Sequence, residues 1–190
     1  MKTLPLFAAA LVMATSMAAS SEPPAIKSFY IEVAQANLAE IELGMLAKEK
    51  GSTPAIRMFA QHMIQDHADA NVQLAMAARR NGIALPMQPN AEQQSTHMRL
   101  QSLSGTDFDE AYLDTQVADH GSMVARLEAQ ADAAVDASTR NYIAGALPIV
   151  KQHETMAKRM THAVPQQQSL YPSHYPSQYP SRFMYTDRVL

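Results

Sequence analysis

Residues 54–81, PAIRMFAQHMIQDHADANVQLAMAARRN, set the fold. Ile56, Phe59, Met63, Ala70 and Leu74 recur at spacings of three and four, so at 100° per residue they line one face of a helix. His67 stands in the middle of that greasy face. Thr53 and Pro54 supply an N-cap and a first-turn proline, and Gly82 follows where a helix terminator is wanted. Working outward, the same periodicity predicts helices over 26–50, 106–135 and 138–163. Gly51, like Gly82, is expected to end its helix in the left-handed conformation, Thr106 with Asp109 to form a capping box for the third, and Asp136 to cap the fourth. Pro148 falls inside the last helix, where it deletes one backbone hydrogen bond and favours a kink.

Each helix carries one ionisable group at the centre of its apolar stripe. In the first, Phe29, Val33, Ala36, Leu43 and Ala47 flank Glu40. In the third, Leu113, Val117, Val124 and Leu127 flank His120, and in the fourth Tyr142, Ala146, Ile149 and Met156 flank His153. His120 and His153 each lie 16 residues from the turn at Asp136-Ala137, so they face each other across an antiparallel pair. Glu40 is 11 residues before Gly51 and His67 is 15 after Ser52, a mismatch of four residues or about 6 Å. Burying a carboxylate and three imidazoles without partners costs several kcal/mol. Two arrangements satisfy them. One is a metal site, His67, His120, His153 and Glu40 being suitable ligands for zinc, iron, manganese or copper. The other is a metal-free polar layer in which these groups pair with one another, with Asn37 and Asn71, or with trapped water.

Asp66 and Asp119 directly precede two of these histidines, but neighbours on a helix point about 100° apart. Both are expected as surface or interhelical hydrogen-bond partners, and secondarily as groups that orient a ligand on another helix. Met63, Met123 and Met156, one turn from the histidines, read as core and secondarily as thioether ligands for copper. His62, His97, His162 and His174 fall off the stripes and read as solvent groups.

The chain has 190 residues, 47% of them hydrophobic, enough for one domain with a real core. It has no cysteine, which excludes disulfides, thiolate metal sites and cysteine nucleophiles. A formal charge of −3 gives no electrostatic footprint for nucleic acid or anionic membranes. No phosphate loop and no Gly-x-Ser-x-Gly elbow occurs, so no reaction is assigned. With 13 methionines, no tryptophan and 6% aromatics, the core is expected to be Ala, Leu and Met.

Residues 1–20 have the order of a secretory signal: Lys2, an apolar run from Leu4 to Met13, and small residues at Ala18-Ala19-Ser20. The run is shorter than the roughly 20 residues a bilayer needs, so cleavage and release into a periplasm, with association to the outer membrane as a variant, is the expectation. No later segment reads as transmembrane. Residues 164–190 contain the repeats Tyr171-Pro-Ser-His174, Tyr175-Pro-Ser-Gln178 and Tyr179-Pro-Ser-Arg182, read as a disordered tail able to contact an envelope or cell-wall partner. The bundle domain is assigned to 26–163. Between its second and third helices, residues 82–104 form a linker that opens with Pro86 and Pro89, continues through a polar, weakly helical stretch and is long enough to run the length of a helix of about 42 Å, which permits either a crossover or an up-and-down bundle.

Ala39-Glu40-Ile41-Glu42-Leu43-Gly44, Phe59-Ala60, Asp66-His67 with Asn71, Ser104-Gly105, Phe108-Asp109 with Tyr112, Asp119-His120, and Leu147-Pro148 with His153 resemble an exported bacterial family known as a domain of unknown function and often labelled as outer-membrane proteins. The resemblance spans Ser28 to Ala163 and implies a ferritin-like four-helix bundle, with no established reaction. Di-iron ferritins carry Glu-x-x-His pairs, whereas here Ile64, Val117 and Val150 stand three residues before the histidines, so a mononuclear site is expected. Two functions follow: a periplasmic bundle holding one transition metal in stress tolerance or metal homeostasis, or a structural or interaction module of the envelope whose histidines form a packing layer.

Overall fold

The computed structural model describes residues 24–133 and 136–163, whose regular structure is entirely helical, with no strand among them. The signal and tail assignments, 1–20 and 164–190, lie outside the described residues. Four long helices, α1 (Pro24–Lys50), α2 (Pro54–Arg80), α4 (Gly105–Ala133) and α5 (Ala137–Ala163), form a helical bundle, and a short α3 (Ala91–Gln101) lies against α1 and α4. The expected four-helix pattern therefore gains a fifth element, since the linker read as 82–104 folds part of its length into α3. Its start is a capping box: Asn90 Oδ1 accepts from Gln93 N–H at 2.9 Å and Gln93 Oε1 from Asn90 N–H at 2.8 Å.

Most of the expected punctuation holds. The Thr53 hydroxyl accepts from Ile56 N–H, and Pro54 opens α2. At the other end Gly82, with φ of 65°, lets Ile83 N–H reach Ala78 O at 2.9 Å and Gly82 N–H reach Arg79 O at 3.2 Å, which satisfies the last carbonyls. α5 runs as one helix through Pro148, and Asp136 caps it through Thr139 N–H at 2.9 Å. Two expectations are corrected. Gly51 is not left-handed; a Cβ there would lie 2.6 Å from Ala47 O and from Ile56 Cγ2, so the residue is small because the turn closes on itself. Asp109 does not act as the acid of a capping box with Thr106 but accepts from Ser52 N–H at 3.0 Å and from the Ser52 hydroxyl.

That last bond fixes the topology. The α1–α2 turn sits beside the start of α4, while at the opposite end Asn81 reaches Tyr30 Oη at 3.0 Å and Asp136 at 3.4 Å, and Tyr30 bonds Thr139 at 2.7 Å. α2 and α4 thus run parallel, and the connection between them travels the length of the bundle. The long helices form a ring in which α1 packs on α2 and α4, and α5 on α2 and α4. Two apolar clusters fill it, one around Tyr30, Val33, Leu74 and Leu127, the other around Leu43, Phe59, Met63 and Leu113. The three central histidines belong to neither cluster.

Candidate metal centre

His67 from α2, His120 from α4 and His153 from α5 are buried and converge, with one ligand atom of each lying within 4.8 Å of the others. Their ring centroids form a nearly equilateral triangle of 5.3 to 5.4 Å. Each helix delivers its imidazole from the middle of an otherwise apolar stripe.

The second nitrogen of each ring is committed to an oxygen. The Asn37 amide donates to Tyr142 Oη at 3.5 Å, which leaves its carbonyl oxygen 3.0 Å from His67 Nδ1. His120 Nδ1 is 2.9 Å from the Gln116 carbonyl, an obligate acceptor. His153 Nε2 is 2.8 Å from Asp66 Oδ2. These acceptors hold protons on those three nitrogens and leave lone pairs on His67 Nε2, His120 Nε2 and His153 Nδ1. His153 Nδ1 is buried with no hydrogen-bond partner. His67 Nε2 and His120 Nε2 face each other at 3.3 Å, although neither carries a proton in this arrangement.

A proton is a poor solution to that confrontation. Burial first, and then the other imidazoles, push His67 well below the ordinary histidine range, and burial with His153 pushes His120 down to about 3. A divalent cation fits better: tetrahedral ligation at about 2.0–2.1 Å sets nitrogens roughly 3.3–3.4 Å apart. The His67–His120 separation is 3.3 Å, and the ligand atom of His153 lies within 4.8 Å of both.

Glu40 is buried but stands behind the trio. Its Oε1 is 3.9 Å from His120 Nδ1, on the side of the ring turned away from His67, and its Oε2 accepts from Gln116 Nε2 at 2.7 Å. Burial, then the charge of Asp119, pushes its carboxyl up to about 8 despite the Gln116 bond. With His120 neutral, the contact is not an ion pair near neutrality. Tyr112, stacked on Phe108, is fully buried and its phenol is pushed well up by burial and by Glu40.

Asp66 bridges α2 to α5 through His153, the interhelical partnership expected of it. Gln116 interrupts no apolar stripe read from the sequence, and its place four residues before His120 is the signal that marks it. Met63, Met123 and Met156 are accounted for by the apolar clusters. His62 and His97 are half-buried rather than solvent groups, His162 is exposed, and His174 lies outside the described residues. A cleft of about 420 Å³, walled by α1, α3 and α4, reaches His67, His120 and Glu40 from outside. Among the described residues no helix is long and apolar enough to cross a membrane.

Fold and site together define a helical-bundle protein with three buried histidines close enough together to share one metal ion. Compared with known families, residues 12–160 match the one described as Domain of unknown function (DUF4142), and the chain belongs to that family. No curated protein and no solved structure matches it.

Proposed function

We propose that this chain is an exported, ferritin-like bundle protein that holds one transition-metal ion through His67, His120 and His153, in metal homeostasis or stress tolerance of the cell envelope. The observation that supports this most directly is the pair of Nε2 atoms 3.3 Å apart, each on a ring whose Nδ1 is already committed to an oxygen. A metal-free packing layer leaves those two lone pairs opposed and the buried His153 Nδ1 empty-handed. Bound metal relieves all three at once. Glu40, the fourth sequence candidate, serves from behind His120 and with Gln116 steadies that ring. All-imidazole ligation favours zinc, copper or iron over manganese. Residues 1–20 act as the export signal, and release leaves the bundle in the periplasm.

The test is elemental analysis and thermal unfolding of untagged protein prepared without chelator, beside a His120→Ala/His153→Ala variant. Near-stoichiometric metal in the parent, absent from the variant, is expected. Free metal at a hundredfold excess over Kd adds about 2.7 kcal/mol to the folded state, several degrees of Tm. Protein that stays empty and gains no stability from zinc, copper or iron refutes the metal and leaves the envelope module with a histidine packing layer.

A further inference from the structure

The ligands come from α2, α4 and α5 only. α1 contributes no nitrogen, and Glu40, its one ionisable group facing the site, is turned to the far side of the His120 ring. A tetrahedral ion held by three imidazoles therefore has a fourth position that no protein atom of the cluster fills. Structural sites are closed by four protein ligands, whereas reactive sites keep one position for an exogenous ligand.

The cleft shows where that position leads. Its walls include both His67 and His120, so it runs from the surface to the rings themselves, between α1 and α4. About 420 Å³ admits water and molecules of a few heavy atoms. Its charged lining holds Glu32, already paired to Arg126, the buried Glu40, bonded to Gln116, and Asp119. Asn90 and Gln93, also on the wall, spend their side-chain oxygens on each other's backbone in the α3 capping box. That leaves the Asp119 carboxylate as the uncompensated charge on the wall, and a carboxylate beside a narrow opening disfavours anions.

From this we infer that the metal held by His67, His120 and His153 keeps one coordination position open to the α1–α4 cleft and takes there a small neutral oxygen ligand, water being the simplest. The inference rests on the metal reading above. It makes the centre an exchange or reaction site instead of a structural staple.

Copper(II) tests it, being paramagnetic and the tightest-binding of the divalent ions for such ligands. The readout is longitudinal relaxation of bulk water protons on full-length protein loaded with one equivalent, with His120→Ala/His153→Ala as the control for surface copper. The expected result is relaxation enhanced by an exchanging inner-sphere water, an enhancement lost in Ala36→Phe, which plugs the cleft from α1, while copper stoichiometry is unchanged. Ser122→Trp, at the exposed rim on α4, provides a milder plug should Ala36→Phe fail to fold. Sodium azide should compete poorly with that water, and Asp119→Asn should increase its apparent affinity several-fold. Stoichiometric copper with only outer-sphere relaxation in the parent, or full enhancement in both plugged variants, overturns the open position and leaves the metal reading standing. Failure to bind copper at all overturns both.

Discussion

Removing the Asp66 carboxylate should loosen the metal without dismantling the bundle. Asp66 Oδ2 lies 2.8 Å from His153 Nε2 and keeps that nitrogen protonated, which leaves the lone pair on the buried, unpartnered Nδ1. Asp66→Ala frees His153 to exchange tautomers and to turn. Losses of this kind reduce metal affinity 10- to 100-fold, about 1.4–2.7 kcal/mol. The Asp66 side chain is 31% exposed, so water can take over as acceptor, which places the expected loss near the lower figure, about tenfold. Asp66→Asn retains an acceptor oxygen and should lose less. Asp69→Ala, an exposed acid on the same helix, changes the net charge equally and should leave affinity unaltered. Competition against a chromophoric chelator at fixed ionic strength measures all three, and urea unfolding of the metal-free proteins separates binding from folding. Equal losses in Asp66→Ala and Asp69→Ala, or none in either, refute the orienting role.

Other consequences concern the frame that carries the site. A Cβ on Gly44 would lie 2.8 Å from Ile64 Cγ1 and 3.1 Å from the Ala60 carbonyl, so Gly44→Ala should lower Tm even though alanine is worth about 1 kcal/mol more than glycine within a helix; a higher Tm contradicts that close approach of α1 and α2. Burial alone would raise the Asp136 carboxyl, but hydrogen bonds from Ser138, Thr139 and Asn81 outweigh it and hold the group below its ordinary range. Its contribution is then complete above the unfolded value of about 3.9 and lost as pH falls below it. Asp136→Ala should cost about 1 kcal/mol at pH 7, and its deficit against the parent should shrink through pH 4 to 2, as urea midpoints across that range would show.

The long helices were legible because their apolar residues repeat at three and four and their ends carry Thr53, Gly82 and Asp136. The meeting of His120 and His153 followed from counting equal distances to one turn. α3 escaped periodicity because it buries a single residue, Leu100, although Asn90 and Gln93 spelled its capping box. The same counting applied to α1 points to Asn37, 14 residues before Gly51, as the partner of His67 15 residues after Ser52, and that is the contact found. Glu40 drew attention because it interrupts the stripe, but its height sets it against His120 and Gln116. Which ring nitrogen each histidine offers depends on Gln116 O, Asn37 and Asp66, acceptors from neighbouring turns and helices that no one-dimensional pattern displays.

X-ray absorption at the metal edge of the loaded protein interrogates the three-imidazole centre most directly. The fit should require three imidazole rings at about 2.0–2.1 Å with their outer-atom scattering, and His153→Ala should reduce the ring count by one. A shell with at most one imidazole, or sulfur at thioether distance in place of nitrogen, would contradict ligation by His67, His120 and His153.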